Sequence, residues 1–217
     1  LPAVILVIII MQLLWFFGVH GFSIMWGLIS VLWMPIFYEH IQIFVETGSF
    51  DKITQVAPNT LCNVYAMIGG SGSTLALVVL LLVLGKKGSA ERSIGKVSII
   101  PGLFGINEPV TFGLPIVLNP IMFIPFILTP LVFMIIGYLL MVTGVVNIPA
   151  LMLSVMTIPG PIAGFILGGG ISLGIMIVIM CLLSCIIYYP FFKICDNQAL
   201  EAEKKSNQEK TLEENKI

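Results

Sequence analysis

Long apolar runs, broken at a few glycine- and proline-rich points, dominate this chain. The first runs from Pro2 to Phe37 and is interrupted at Gly18-Val19-His20-Gly21. A helix rises about 1.5 Å per residue and a bilayer core is roughly 30 Å thick, so this block is too long for one span. It predicts two spans, or one span and a re-entrant piece. Glu39 to Asn59 is a polar gap with Glu39, His40, Glu46, Asp51 and Lys52. Leu61 to Leu84 reads as one span, punctuated by Gly69-Gly70-Ser71-Gly72-Ser73-Thr74. A short charged loop, Gly85 to Lys96, follows.

Beyond Val97 the pattern gives a broken segment around Asn107-Glu108-Pro109 and a span near Ile121 to Val142. A second broken stretch lies at Thr157 to Gly170, and a last span runs from about Ile171 to Phe192. This predicts an all-α polytopic membrane protein with about five to seven membrane segments, some of them re-entrant or broken. Residues 1–193 form the membrane unit, with a re-entrant site near 97–120 and a second broken segment near 157–170. Residues 194–217 form a charged tail, read as a solvated or disordered end.

Composition fixes the class. Apolar residues make up 58% of the chain, charged residues 10%, and mean hydropathy is +1.09. Soluble domains carry about 25% charged residues. The net charge of -1, with no basic, aromatic-rich stretch, gives no nucleic-acid signal. Lys86, Lys87, Arg92 and Lys96 face Glu91 alone in the short loop, which assigns that loop to the cytoplasm. The tail, with Lys204, Lys205, Lys210 and Lys216 among six acidic residues, casts a weaker vote for the same side. No charged leader precedes Ala3-Val4-Ile5 and no small-residue cleavage site follows. The start therefore reads as internal to a longer protein.

Glu108 is the only Asp, Glu, Lys or Arg between Lys96 and Lys193. A carboxylate in such apolar surroundings usually faces a cavity and serves a substrate or an ion. Pro101, Gly102, Gly105, Gly113 and Pro115 mark broken backbone around it, which a membrane tolerates only inside protein or beside water. Glu108 lies twelve residues past Lys96, a helical rise of about 18 Å, near the bilayer midplane. Burial there would raise its pKa and make it a proton acceptor near neutrality. The bland alternative is a carboxylate capping a helix end.

His20 has no charged residue within eighteen positions on either side. It is a site histidine between small neighbours that admit a ligand, or simply a loop histidine. Trp15, Trp26 and Trp33 offer flat faces for sugar rings, or interface anchors. Gly69 to Thr74 lacks the Gly-Lys-Ser/Thr of a phosphate loop; it is a close-packing element or a polar lining at the site. Glu39-His40 reads as a solvated end. The four cysteines, Cys62, Cys181, Cys185 and Cys195, read as small apolar residues. No metal-ligand set, no catalytic triad order and no cofactor motif appears.

The stretch from Pro101 to Pro120, with Asn107-Glu108-Pro109 at its centre, resembles the signature of the IIC permease of bacterial sugar phosphotransferase systems. The lactose/cellobiose/diacetylchitobiose group fits best. Leu14-Trp15-Phe16-Phe17-Gly18-Val19-His20-Gly21, Ile68 to Leu75, and Tyr188-Tyr189-Pro190-Phe191-Phe192-Lys193 agree in order and spacing. The resemblance implies the substrate-binding C-terminal half of a multi-pass protein of the bacterial plasma membrane, its C-terminus cytoplasmic, dimeric at full length. It implies a β-linked disaccharide substrate, phosphorylated by a IIB phosphocarrier that is itself charged through IIA. Such a subunit is no enzyme alone but the transport part of a protein-phosphohistidine–sugar phosphotransferase complex.

By that resemblance Glu108 and His20 contact the hydroxyl that becomes phosphorylated, and Trp15 lines the ring. The candidate substrate-binding set is Glu108, His20, Asn107, Trp15, Gly70 and Ser71, with Glu108 and His20 the catalytic pair. One departure is Met156, where the family often has tryptophan. The residues alone leave two alternatives open. One is a proton- or sodium-coupled transporter with Glu108 as proton carrier; the other is a non-transporting membrane fragment of an assembly.

Overall fold

The computed structural model describes residues 1–66, 68–149, 158–166 and 170–214. Met156 and part of the second broken stretch, 157 and 167–169, lie outside them. The described residues form helices joined by short turns, and the chain has the expected all-α polytopic membrane fold with broken segments.

Helices α1 (Pro2–Phe16) and α2 (Gly21–Thr47) flank the predicted interruption at Gly18–Gly21. Gly21 sits where α1 and α2 cross, and a Cβ there would collide with the Met11 carbonyl. Helix α2 runs ten residues past Phe37, through the predicted polar gap, and stops at Gly48 in a left-handed cap. Nothing between Tyr38 and Thr47 breaks a helix, so polarity alone did not end it. His40, expected in a solvated end, is buried, while Glu39 beside it is exposed.

The predicted single span Leu61 to Leu84 is instead two helices, α3 (Pro58–Ala66) and α4 (Leu75–Leu84). Between them Gly69, Gly70 and Gly72 all take positive φ, which ordinary side chains avoid. The Leu75 N–H donates to the Ile68 carbonyl, and the Thr74 hydroxyl to the Gly69 carbonyl. Those bonds replace helical ones, so the break is self-satisfied.

Helix α5 (Ala90–Leu103) starts at Ser89, whose hydroxyl accepts from the Arg92 N–H. It ends five residues before Glu108, so the chain turns instead of rising straight to it. Gly105 at φ 73 makes the turn, and the Ile106 N–H closes it onto the Pro101 carbonyl. Helix α6 (Glu108–Gly113) follows, with Glu108 as its first residue. Pro109 fits the first turn because its missing N–H would have no helical partner there.

Helix α7 (Pro120–Val142) is capped by Asn119, whose side-chain oxygen accepts from the Ile121 and Met122 N–H groups. Helix α8 (Gly160–Ile166) packs on α9 (Gly170–Glu214). Helix α9 continues without interruption from the last span into the predicted tail, as far as Glu214. Once nucleated in the membrane it has no reason to stop. Ala199, Leu200, Glu201, Ala202, Lys204 and Lys205 are good helix formers, and neither Gly nor Pro follows Pro190.

Helices α2, α7 and the part of α9 from Gly170 to Ala202 are long and apolar enough to span a membrane. Two shorter apolar helices lie at Pro2–Phe16 and Ser71–Leu84. One core cluster joins α1, α2, α3, α7 and α9 around Met11, Ile29, Phe133 and Met176. A second gathers Trp15, α4, α6 and the later part of α9 around Leu77, Phe126 and Tyr188.

Candidate functional site

The break between α1 and α2 presents His20 as the N-cap of α2. Its Nδ1 accepts the Ser23 N–H at 3.1 Å and lies 2.9 Å from the Ser23 hydroxyl. A backbone N–H can only donate, so Nδ1 bears no proton in this arrangement. In the neutral ring the proton is then on Nε2. Nε2 faces Glu108 Oε1 at 3.8 Å. Residues eighty-eight positions apart thus bring a donor and a carboxylate together at the starts of two helices.

That gap is longer than a hydrogen bond of about 2.7–3.2 Å. One oxygen set to the side of the line joining the two atoms, about 2.8 Å from each, can hydrogen-bond to both. Each side chain is 40% exposed, so the expected burial of Glu108 is not realised within this chain alone. The carboxylate and the imidazole both look onto open space.

Trp15, at 3% exposure, stands behind His20 with ring centroids 4.5 Å apart and planes tilted by 50°. Its other aromatic neighbour is Phe112 at 6.5 Å. Its face is thus turned to protein and supports His20. Phe112, 58% exposed, presents the open aromatic surface here and was not singled out from sequence. Phe112 stands four residues after Glu108, one helical turn, which is the signal that could have found it. Ser23 was missed too; its three-residue offset from His20 is that of an N-cap pair. Trp26 packs on Phe22, and Trp33 is in the core, so neither converges on Glu108.

Asn107, Gly70 and Ser71 come together one residue away from Glu108. The Asn107 amide, buried, donates to the Ser71 carbonyl at 2.9 Å and to the Thr111 hydroxyl at 3.1 Å. A Cβ on Gly70 would lie 2.4 Å from the Gly105 carbonyl oxygen and 3.1 Å from Asn107 Oδ1. The two broken loops therefore touch backbone to backbone. From α9 the fully buried Tyr188 hydroxyl donates to the Gly72 carbonyl at 2.7 Å, across 116 positions of sequence. Asn107 and Tyr188 each hold a carbonyl of the Gly69–Thr74 turn. These groups fix the loop that carries Glu108.

Among the described residues no group of three or more His, Cys, Asp or Glu side chains is placed to hold a metal ion. The arrangement offers an acceptor, a donor and an aromatic face, a set suited to a polyhydroxylated ligand.

The family described as "Phosphotransferase system, EIIC" matches residues 1–130. The chain is similar to the cellobiose-specific EIIC component of Geobacillus stearothermophilus, 36% identical over 201 residues, which cover 92% of this chain and 44% of that protein. It is 34% identical over 201 residues to the lactose-specific EIICB component of Staphylococcus epidermidis, covering 90% of this chain and 33% of that one. Among solved structures it resembles ChbC, the IIC component of the N,N'-diacetylchitobiose-specific phosphotransferase system, with a TM-score of 0.82 and 37% identity. That match covers 93% of this chain and 46% of ChbC. The chain spans less than half the length of each.

Proposed function

We propose, because this chain belongs to the phosphotransferase system EIIC family, that its parent protein is the permease of a phosphoenolpyruvate-dependent sugar phosphotransferase system. Its substrate is a β-linked disaccharide of the cellobiose, lactose or diacetylchitobiose type. The observation that carries this reading is the convergence of His20 and Glu108 at two helix starts in an otherwise apolar protein. The names of the relatives point to the same sugar class.

A sugar hydroxyl, the C6 hydroxyl by family resemblance, sits between His20 Nε2 and Glu108 Oε1. It attacks the phosphorus of a phosphorylated cysteine on the B component. The O–P bond forms, the S–P bond breaks, the thiolate leaves with the electron pair, and the hydroxyl proton passes to Glu108. His20 holds the same oxygen. Asn107, Gly70 and Ser71 position the Glu108 loop, while Trp15 backs His20. The product carries added charge and does not return outward.

Charge and packing support a cytoplasmic C-terminus. The turn Gly85–Ser89 and the first turn of α5 lie against the part of α9 around Asp196 and Ala199, since Gly88 and Glu91 share a groove with both. The positive loop and the C-terminal extension are thus on one side, and the charge bias makes that side cytoplasmic. Residues 1–193 serve as the sugar-binding membrane half and 194–217 as its cytoplasmic tail.

Labelled cellobiose binding to the full-length parent in detergent tests this, with lactose, diacetylchitobiose and glucose as competitors. Saturable binding displaced by a β-linked disaccharide, and altered in Glu108→Gln, supports the permease. A folded parent that binds none of these sugars overturns it and turns attention to ion-coupled transport.

A further inference from the structure

We propose that Phe112 is the platform on which the sugar ring bearing the reacting hydroxyl stacks. The proposal rests on the permease reading above and adds the residue that holds the ring itself.

Helix α6 divides by exposure into two faces. Val110 and Thr111 are buried; Val110 lies in the second core cluster, and the Thr111 hydroxyl accepts from the Asn107 amide. Glu108 and Phe112 are one helical turn apart and share the other face, with about 5–6 Å between their Cβ atoms. That face is open, since the Glu108 side chain is 40% exposed and Phe112 is 58% exposed.

Glu108 sets what the open face looks onto. An ionisable residue at membrane depth faces a bundle interior or a water-filled cavity, not lipid hydrocarbon. The space before Glu108 and His20 is therefore polar. Two constraints keep Phe112 at its border. Its backbone belongs to the same six-residue helix as Glu108, and its ring lies 6.5 Å from that of Trp15. Trp15 in turn backs His20 at 4.5 Å. His20 and Phe112 thus flank one buried tryptophan, at separations normal for aromatic pairs. Trp15 braces Phe112 from one side and leaves the rest of its ring open.

A pyranose ring has the matching chemistry. Its hydroxyls lie around the rim, and its C–H groups make an apolar face. With the rim hydroxyl held by His20 Nε2 and Glu108 Oε1, the C–H face falls one helical turn away, on Phe112. That offset is about the width of one sugar ring. The platform therefore serves the ring that carries the reacting hydroxyl, not the second ring of the disaccharide. Trp15, at 3% exposure, has no comparable open face. A few placed polar groups beside an apolar wall are the usual make-up of a small-ligand site.

The test uses the full-length parent, its phosphorylated B component and labelled cellobiose. A platform grips the sugar equally before and during phosphoryl transfer, so its loss falls on KM. Phe112→Ala should raise the Kd and the KM for cellobiose about tenfold. The kcat at saturating sugar and the KM for the phosphorylated donor should stay near wild type. Phe112→Trp, which restores a flat ring, should recover most of the affinity. Phe112→Leu, apolar but without a flat face, should not. Thermal midpoints should hold in all three, because so much of the ring is already open. Unchanged cellobiose affinity in Phe112→Ala overturns the platform. A lower thermal midpoint with unchanged affinity assigns the ring to packing within the parent and overturns it too. Full affinity in Phe112→Leu overturns the stacking. A folded wild-type parent that binds no β-linked disaccharide sinks the permease reading itself. That result is separable, because the variants are compared with a wild type that binds.

Discussion

Gly70→Ala tests whether the two broken loops are held together by backbone contact. Gly70 has φ 75 and ψ -155, a region that is essentially glycine-only. Placing alanine there costs about 1–3 kcal/mol in strain. Its Cβ would also lie 2.4 Å from the Gly105 carbonyl oxygen, which belongs to backbone and cannot swing aside. Forced overpacking of this kind adds about 1–3 kcal/mol. The sum is about 2–6 kcal/mol, a large share of the roughly 5–15 kcal/mol that stabilises a typical domain. Relief comes by pushing Gly105 away, which drags Asn107 off the Ser71 carbonyl and shifts Glu108. The expected result is a lower thermal midpoint of the full-length parent and about a tenfold loss of cellobiose affinity, which is about 1.4 kcal/mol. Gly88→Ala is the reference. Gly88 also has positive φ, at +86, but a Cβ there meets nothing within 4 Å. That variant bears backbone strain alone, roughly 1–2 kcal/mol, and should bind cellobiose as wild type does. If Gly70→Ala matches Gly88→Ala in stability and in affinity, the contact between the loops contributes nothing and the reasoning is refuted.

Three further outcomes follow from the same geometry. Glu108→Gln should fold normally and cut sugar phosphorylation by about 10²–10⁴-fold, the usual contribution of a general base; wild-type turnover would remove Glu108 from the chemistry. His20→Asn keeps a side-chain acceptor for the Ser23 N–H but loses Nε2, so stability should hold while cellobiose affinity drops about tenfold. Unchanged affinity there would leave His20 as a helix cap only. Tyr188→Phe strips the Gly72 carbonyl of its buried side-chain donor and should cost about 1–3 kcal/mol in unfolding measurements, with Tyr189→Phe, on an exposed residue, near neutral.

Much of this protein is written in single residues. Hydropathy is a property of each side chain, and summed along the chain it gives the membrane class and the positions of α1, α7 and the membrane part of α9. Glycine and proline act on their own backbone, so the interruptions at Gly18–Gly21 and before Glu108 are legible without a fold. The isolation of Glu108 in an apolar stretch was visible for the same reason.

Polarity proved a poor guide to where helices end. Helix α2 continued past Glu39, and α9 continued past Asp196, because a charged residue does not break a helix that is already nucleated. The Leu61–Leu84 run broke in two because three glycines at positive φ outweighed an unbroken apolar average. Contact decided the rest. Sequence could nominate His20 and Glu108 but not set them 3.8 Å apart, turn Trp15 inward, or expose Phe112 beside them. Nor could it join Tyr188 to Gly72 or build a groove from Glu91, Leu114 and Asp196. Sequence by itself determined the membrane environment and the points where the backbone yields. The meeting of those points was decided only by packing, because contacts between distant segments depend on shapes that no local window contains.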